Sequence, residues 1–283
     1  MVIKLELENK SKVFYSGDMI RGHITITDYK KTPVELGFEC LETFTQHDSA
    51  LTHYPILSKM DLVNESKENS VFECKFEFLL ENGPPSYPFD GIKSFYHTIK
   101  YTLEVRVIKK LLNSKERLEL KVMNKNVKLL KQLANPCQLT HLQSKLIGTP
   151  VQMDIKLNKS GYLLNDLIEM NFDLKNKANV TSLQVQFGTI VNAVTEHYKN
   201  VMAGNKFTNF LAADVDYSKD VVTMTIPVHP TLHPSFRTKY MQYSYVINVI
   251  IYYKGTLMSE SKTIKIPISI GNSYSDGDGV TLK

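Results

Sequence analysis

Two histidines stand at the spacing that zinc-binding helices use. His229 and His233 are four residues apart, so a helix would place both imidazoles on one face. Each is followed directly by a proline, Pro230 and Pro234, and proline breaks a helix because it lacks an N–H donor and clashes with the preceding turn. We therefore expect both histidines in a loop, without a metal ion.

Other catalytic patterns are missing from the sequence. His47 and His53 flank Asp48 in a polar stretch, but no Cys or Glu stands at ligand spacing. There is no nucleophile elbow, no P-loop and no glycine-rich phosphate loop. The three cysteines are far apart, which predicts reduced thiols, with Cys40 and Cys74 buried in strands. The sequence thus predicts a protein that is not an enzyme and binds no cofactor.

Basic residues are concentrated in one stretch of the chain. They are Lys109, Lys110, Lys115, Arg117, Lys121, Lys125, Lys128 and Lys131. The whole chain carries a formal charge of +5, so the remainder is close to neutral. Such a stretch can bind anionic lipid head groups or phosphorylated cargo, with each base near an anionic membrane contributing about 1 kcal/mol.

The same stretch has a second interpretation, in which it is only a solvated strand face. Alternation places Lys115, Arg117, Glu119 and Lys121 on one side of a strand. Both interpretations remain open from the sequence. Nucleic acid is not predicted as a partner, because no aromatic residue that could stack on bases interleaves the basic ones.

A short proline motif also has two interpretations. Pro84, Pro85 and Tyr87 match Pro-Pro-x-Tyr, which WW domains bind as an exposed polyproline II segment. However, Tyr87 and Phe89 lie just before a strand pattern, where they are expected to pack at the end of a sheet. We favour the structural interpretation of this loop over the ligand.

The elements that must position these residues are β-strands almost throughout. Hydrophobic residues make up 42% of the chain, which is enough for a core in each half. Apolar and polar residues alternate with period two in several runs, which is typical of strands with one buried face. The clearest runs are 72–78, 99–107, 153–157, 183–187, 221–226, 243–253 and 263–270. Helical patterns are scarce, and 116–131 is predicted to be mostly strand.

One pattern occurs twice in the same order. Residues 9–20 and 158–168 share Asn-Lys-Ser, a turn, an Asp and an Ile after one single-residue gap. A second echo follows each copy, Pro-Ser-Tyr at 85–87 and Pro-Ser-Phe at 234–236, before a Tyr-containing strand. This repeat predicts two related domains in tandem. We expect an all-β chain of two tandem immunoglobulin-like antiparallel β-sandwiches at 1–135 and 150–271, with a linker at 136–149 and a flexible tail at 272–283.

These motifs together resemble the arrestin family. The resemblance rests on the turn at 14–18, the Pro-Pro-Ser-Tyr loop, the Lys-Ser-Gly-Tyr opening at 159–162 and the Ile-Pro-Ile-Ser-Ile-Gly end at 266–271. It covers the chain from about Val2 to Gly271 and is most similar to the α-arrestins, with the arrestin-like subunit of retromer as the alternative. The first strand has Glu6 and Glu8 where the phosphate-sensing arrestins carry lysines, so that mechanism is not expected here.

The resemblance implies a cytosolic adaptor or scaffold in endocytic trafficking or signalling. Its partners would be cytosolic regions of membrane receptors or transporters, together with trafficking or ubiquitin-ligase machinery. It would be cytoplasmic and peripherally associated with the plasma membrane or endosomes. The alternatives are a constitutive sorting-coat subunit, as in retromer, and a peripheral protein that binds anionic lipid through the basic stretch. In α-arrestins, WW-binding motifs typically follow the second domain, whereas here the motif coincides with a loop of the fold.

Overall fold

The computed structural model divides the chain into two compact units, Met1–Lys125 and Asn126–Lys283. It describes residues 1–46, 49–80, 83–87, 95–109, 113–123, 133–143, 151–177, 179–193, 206–238, 241–254 and 259–271. Almost all of these residues are in strands or in the turns between them. The predicted all-β class, with two tandem immunoglobulin-like sandwiches, is confirmed.

The described residues of the first unit form eight strands in two sheets. They are β1 (Val2–Leu7), β2 (Val13–Tyr15), β3 (Met19–Thr27), β4 (Val34–Gln46), β5 (Ser49–Leu62), β6 (Val71–Leu79), β7 (Phe95–Val107) and β8 (Ser114–Met123). One sheet has the order β1-β3-β6 and the other β2-β8-β7-β4-β5. Pairing is antiparallel except between β2 and β8, which are parallel. The core includes Ile24 and Phe72 from the first sheet and Leu36 and Leu103 from the second.

The second unit repeats this plan. Its strands are β9 (Cys137–Gln143), β10 (Val151–Leu157), β11 (Gly161–Leu163), β12 (Leu167–Asn176), β13 (Val180–Ala193), β14 (Lys206–Asp214), β15 (Val221–Pro227), β16 (Phe236–Arg237), β17 (Met241–Lys254) and β18 (Ser259–Gly271). One sheet has the order β15-β12-β10-β9, and the other β11-β18-β17-β13-β14 with β16 on β17. Again the short strand β11 pairs in parallel with the last strand, β18.

Period-two alternation in the sequence corresponds to alternating burial in the strands. In β6, Phe72, Cys74 and Phe76 are buried while Glu73 and Lys75 are exposed. All seven runs predicted as strands lie within strands of the structure. This agreement follows because successive side chains of a strand point to opposite faces, so one buried face fixes the pattern.

Two predictions concern segments of which the structure describes only a part. Residues 137–143, inside the predicted linker 136–149, form β9 and pair with β10. The linker was predicted from its turn residues at both ends, which gave no indication of a strand between them. The proposed domain boundaries stay a prediction. β8, at Ser114–Met123, covers 116–123 of the segment 116–131 that was predicted to be mostly strand, while 124–132 and the tail 272–283 lie outside the described residues.

Candidate functional site

The repeated sequence pattern forms the same tight turn in each unit. In the first, Asp18 accepts a hydrogen bond from the Tyr15 N–H at 2.7 Å and donates its own N–H to the Tyr15 carbonyl at 2.9 Å. In the second, Asp166 does the same with Leu163 at 2.9 and 3.1 Å. The turn therefore depends on the aspartate that both copies share.

The residue before each aspartate has the same unusual backbone. Gly17 has a φ of 87° and Asn165 a φ of 70°. Glycine adopts positive φ at no steric cost, and asparagine tolerates it better than most other residues. Their N–H groups make equivalent hydrogen bonds of 2.8 Å, to the carbonyls of Leu80 and Val228 respectively. The substitution of Gly by Asn between the copies thus preserves the turn.

Ser86 of the Pro-Pro-Ser-Tyr loop is hydrogen-bonded twice to the last strand of the first unit. Its N–H donates to the Val122 carbonyl at 2.7 Å, and its Oγ accepts from the Val122 N–H at 2.8 Å. In the second unit, Ser235 makes the same two bonds to Ile270, at 2.6 and 2.9 Å. The Pro-Ser-aromatic echo in the sequence therefore marks a serine clasp on the last strand of each sandwich.

A buried tyrosine hydroxyl holds the residue two positions before each serine. Tyr101 donates to the Pro84 carbonyl at 2.7 Å, and Tyr245 donates to the His233 carbonyl at 2.6 Å. Burial raises the pKa of Tyr101 well above its ordinary value, so the hydroxyl remains a donor. Gly83 leaves the space that this hydroxyl occupies. Two equivalent contacts, from a serine and a tyrosine, thus hold each loop against its sheet.

The residues of the Pro-Pro-x-Tyr motif are held in this loop. Pro85 is buried, Pro84 is half-buried, and Tyr87 is 6% exposed. Tyr87 also pairs through its backbone with Ile99 in β7, at 3.1 and 3.0 Å. A WW domain needs the prolines and the tyrosine on an accessible segment, and the native loop does not present them in that way.

The structure describes half of the predicted basic stretch. Lys109, Lys115, Arg117 and Lys121 are exposed, and the last three lie on the outward face of β8. The Lys109 ammonium donates to the Ser114 hydroxyl at 2.8 Å. The other members lie outside the described residues; they are Lys110, Lys125, Lys128 and Lys131.

Arg117 differs from the neighbouring lysines because it forms an ion pair. Glu104 on β7 accepts hydrogen bonds from both Arg117 and Arg106, and its side chain is 11% exposed. Burial alone would raise the pKa of Glu104, but the two guanidinium groups outweigh it and hold the pKa below its ordinary value. The sequence shows these charges but not the register of β7 with β8, which brings Arg117 opposite Glu104.

A second partly buried ion pair lies in the other unit. Asp154 of β10 pairs with Lys175 of β12, and the Asp154 side chain is 8% exposed. The hydrogen bond from Lys175 is the main cause that holds the pKa of Asp154 below its ordinary value. Among the described residues, each unit therefore has a carboxylate on an outward sheet face that is paired with a base from its own or a neighbouring strand.

The predicted histidine and cysteine environments can also be located. His229 and His233 lie in the connection between β15 and β16, where His229 Nδ1 is 2.8 Å from the Thr231 hydroxyl. Within the described ranges, no group of three His, Cys, Asp or Glu residues is arranged to hold a metal ion. Cys40 and Cys74 are buried free thiols, as predicted, and burial raises the pKa of Cys40 to about 11.

Comparison with known families gives one match. Residues 148–274 match the model described as Arrestin (or S-antigen), C-terminal domain. The matched segment contains every strand from β10 to β18. This match supports a relationship of the chain to the arrestin family. Members of that family are generally adaptors or scaffolds and not enzymes. A comparison with curated proteins finds no match. Among the described residues, no helix is long and apolar enough to cross a membrane.

Proposed function

We propose that this chain is a non-enzymatic cytosolic adaptor that binds cytosolic regions of membrane receptors or transporters. The observation that carries the proposal is the arrestin C-terminal match over 148–274, in a unit whose turn and serine clasp recur in the first unit. Arrestin-type sandwiches act by presenting surfaces to partners rather than by chemistry. The proposed location is the cytoplasmic face of the plasma membrane or endosomes.

Within the family, we propose an α-arrestin type of adaptor, which couples cargo to trafficking or ubiquitin-ligase machinery. The Pro-Ser-aromatic loops and the Ile-Pro-Ile-Ser-Ile-Gly end support this choice. The competing role is a constitutive subunit of a sorting coat. The two roles differ in stoichiometry, because a coat subunit co-purifies with fixed partners and an adaptor associates with changing cargo.

Pro84, Pro85 and Tyr87 have a structural role in this proposal. The support is the burial of Pro85 and Tyr87 and the hydrogen bond from Tyr101 to Pro84. Recruitment of a ligase through this motif would require the loop to leave the sheet and the Ser86 clasp to open. Ubiquitin-ligase machinery would therefore associate through another surface or through another protein.

Binding to an anionic membrane surface is a second candidate function. The observation that favours it is the exposure of Lys115 and Lys121 on one face of β8, where no salt bridge within the described residues involves either of them. Vesicles with and without phosphatidylserine test it by co-sedimentation. Binding that requires the anionic lipid and weakens with salt would support a membrane role, and equal recovery with neutral vesicles would exclude it.

Proximity labelling in cells tests the adaptor proposal. A labelling enzyme fused to the full chain is expected to mark transporters or receptors together with sorting or ligase components. A Tyr101→Phe fusion at equal expression is a matched control for a destabilised fold. Constant recovery of the same sorting-complex subunits in stoichiometric amounts would favour the coat role. Labelling no different from the free enzyme would contradict both roles.

A further inference from the structure

β15 is an edge strand whose outer backbone groups are unsatisfied within the described residues. It pairs with β12 on one side only. The Leu174 N–H donates to the Asp220 carbonyl at 2.7 Å, and the Val228 N–H donates to the Asp166 carbonyl at 2.9 Å. The backbone N–H and C=O groups of the even-numbered residues of β15 therefore point towards β12. Because amide direction alternates along a strand, the N–H and C=O groups of Val221, Thr223 and Thr225 face away from it.

The equivalent edge in the first unit is protected. In β6, the Glu73 N–H donates to Asn64 Oδ1 at 3.0 Å and the Glu73 carbonyl accepts from the Glu65 N–H at 2.7 Å. Beyond this cap, Lys75 and Glu77 put charges on the outward face of the edge. Charged edge residues and local caps are the means by which proteins prevent sheets from pairing edge to edge.

In the part of the chain that the structure describes, β15 carries none of these protections. Its sequence from Val221 to Ile226 has no charge, and five of its six residues are β-branched types with high strand propensity. Val221 is 64% exposed. Val222 and Met224 face inward but are only half-buried, whereas the corresponding residues of β6, Cys74 and Phe76, are buried. The strand thus offers both free amides and uncovered apolar surface.

We propose that β15 pairs antiparallel with β15 of a second copy of this chain, around a twofold axis at Thr223. This register places Val221 opposite Thr225 of the second copy and Thr223 opposite its own counterpart. Each facing pair then exchanges both of its backbone hydrogen bonds, as the outward-facing residues of antiparallel strands do. The sheet β15-β12-β10-β9 continues across the axis into the same sheet of the second copy.

The side chains favour this occupant and this register. On the outer face every cross-strand pair is Thr–Thr or Val–Thr, so no like charges meet. On the inner face, Val222 faces Met224 of the second copy, which covers the two half-buried residues. Moving the axis to Met224 would pair Val221 with Pro227, which has no N–H to donate. Self-pairing of β6 around Glu77, in contrast, would put two carboxylates opposite each other.

Sedimentation velocity of the purified full chain over the micromolar range tests the dimer. The wild type is expected to shift from monomer to dimer with rising concentration. Thr223→Lys places two ammonium groups opposite each other at the axis and is expected to raise the dissociation constant by about tenfold or more. Thr263→Lys adds the same charge to an exposed position on β18 and is expected to leave the dissociation constant unchanged.

Two further variants test the geometry without added charge. Thr225→Pro removes one outward N–H donor and is therefore expected to weaken the dimer. The fold of the monomer should persist, because proline is tolerated where the N–H of an edge strand faces outward. Thr223→Cys is expected to cross-link to its counterpart under mild oxidation, and Val221→Cys is not, because its partner in this register is Thr225. A wild type that stays monomeric, or a dimer that Thr223→Lys and Thr225→Pro leave unchanged, would overturn the proposal. It does not depend on the adaptor role.

Discussion

Asp166 occupies the same position in the second sandwich that Asp18 occupies in the first. Each carboxylate accepts a hydrogen bond from the N–H three residues earlier. The backbone carbonyl of each aspartate accepts from the residue that directly follows the neighbouring strand, Leu80 after β6 and Val228 after β15. The equivalence extends to parallel pairing of the preceding short strand with the last strand of the unit. The two halves are therefore the same construction, and the sequence repeat reflects shared hydrogen bonding rather than composition.

The first prediction concerns these two aspartates. Asp18→Ala and Asp166→Ala are each expected to lower the free energy of unfolding by about 1–2 kcal/mol, because a backbone N–H loses a charged acceptor. Hydrogen exchange followed by peptide mass spectrometry should place the loss in the unit that carries the substitution. Asp61→Ala, at an exposed carboxylate on β5, is the matched control. Equal loss of protection in both units for either variant would contradict independent, equivalent turns.

The second prediction concerns the positive φ of Asn165. Asn165→Gly is expected to be nearly neutral, whereas Asn165→Val should cost about 1–2 kcal/mol, because a β-branched residue is strained at this φ. Gly17→Asn should be tolerated for the reciprocal reason, since nothing lies within 4 Å of a Cβ added at Gly17. Urea denaturation gives all three values. A stable Asn165→Val variant would show that the turn can relax to negative φ.

The third prediction concerns the pH dependence that Glu104 confers. Its folded-state pKa lies below the unfolded value, so its stabilisation is present above the unfolded pKa of about 4.3 and is lost as the pH falls through the folded pKa. Glu104→Gln should therefore cost about 1–2 kcal/mol at neutral pH. The difference from wild type should shrink in urea titrations below about pH 4.

Glu116→Gln provides the control for this effect. Glu116 is exposed on β8, next to Arg117 in the sequence, so its substitution should change stability little at either pH. A wild-type advantage over Glu104→Gln that is the same at neutral and acidic pH would show that shape, not charge, accounts for the role of Glu104.

Much of this architecture follows from the sequence, and some of it does not. Alternation predicted the strands because one buried face imposes period two. The repeat predicted a turn before the aspartate of each copy, and the structure has positive φ there at Gly17 and Asn165. The partner of Arg117 was not predictable, since it depends on the register of β7 with β8, which places Arg117 opposite Glu104. β9 was not predicted, because its segment has turn residues at both ends and no clear alternation, a pattern typical of a linker. Its strand conformation depends on pairing with β10.

The fourth prediction concerns the Pro-Pro-x-Tyr motif. A synthetic peptide containing residues 80–91 is expected to bind a WW domain, while the folded chain is not, because Pro85 and Tyr87 are buried. Tyr87→Ala should destabilise the first unit by about 3–5 kcal/mol, as expected when a buried aromatic is truncated. Tyr217→Ala, at a half-buried position in the second unit, is the control.

The opposite outcome of that experiment is equally specific. If the folded chain binds the WW domain as tightly as the peptide does, and Tyr87→Ala removes binding without loss of stability, the loop is a ligand and not a structural clasp. Isothermal titration calorimetry with thermal denaturation of the same samples distinguishes the two.

Direct binding to cytosolic segments of membrane proteins is the central claim, and fluorescence anisotropy measures it most directly. Labelled peptides covering the cytosolic segments of the proteins recovered by proximity labelling are titrated with the purified chain. We predict saturable binding by at least one segment, which is lost when the chain is unfolded in urea. Absence of saturable binding by every segment, with a chain that is folded by hydrogen exchange, would contradict the adaptor role.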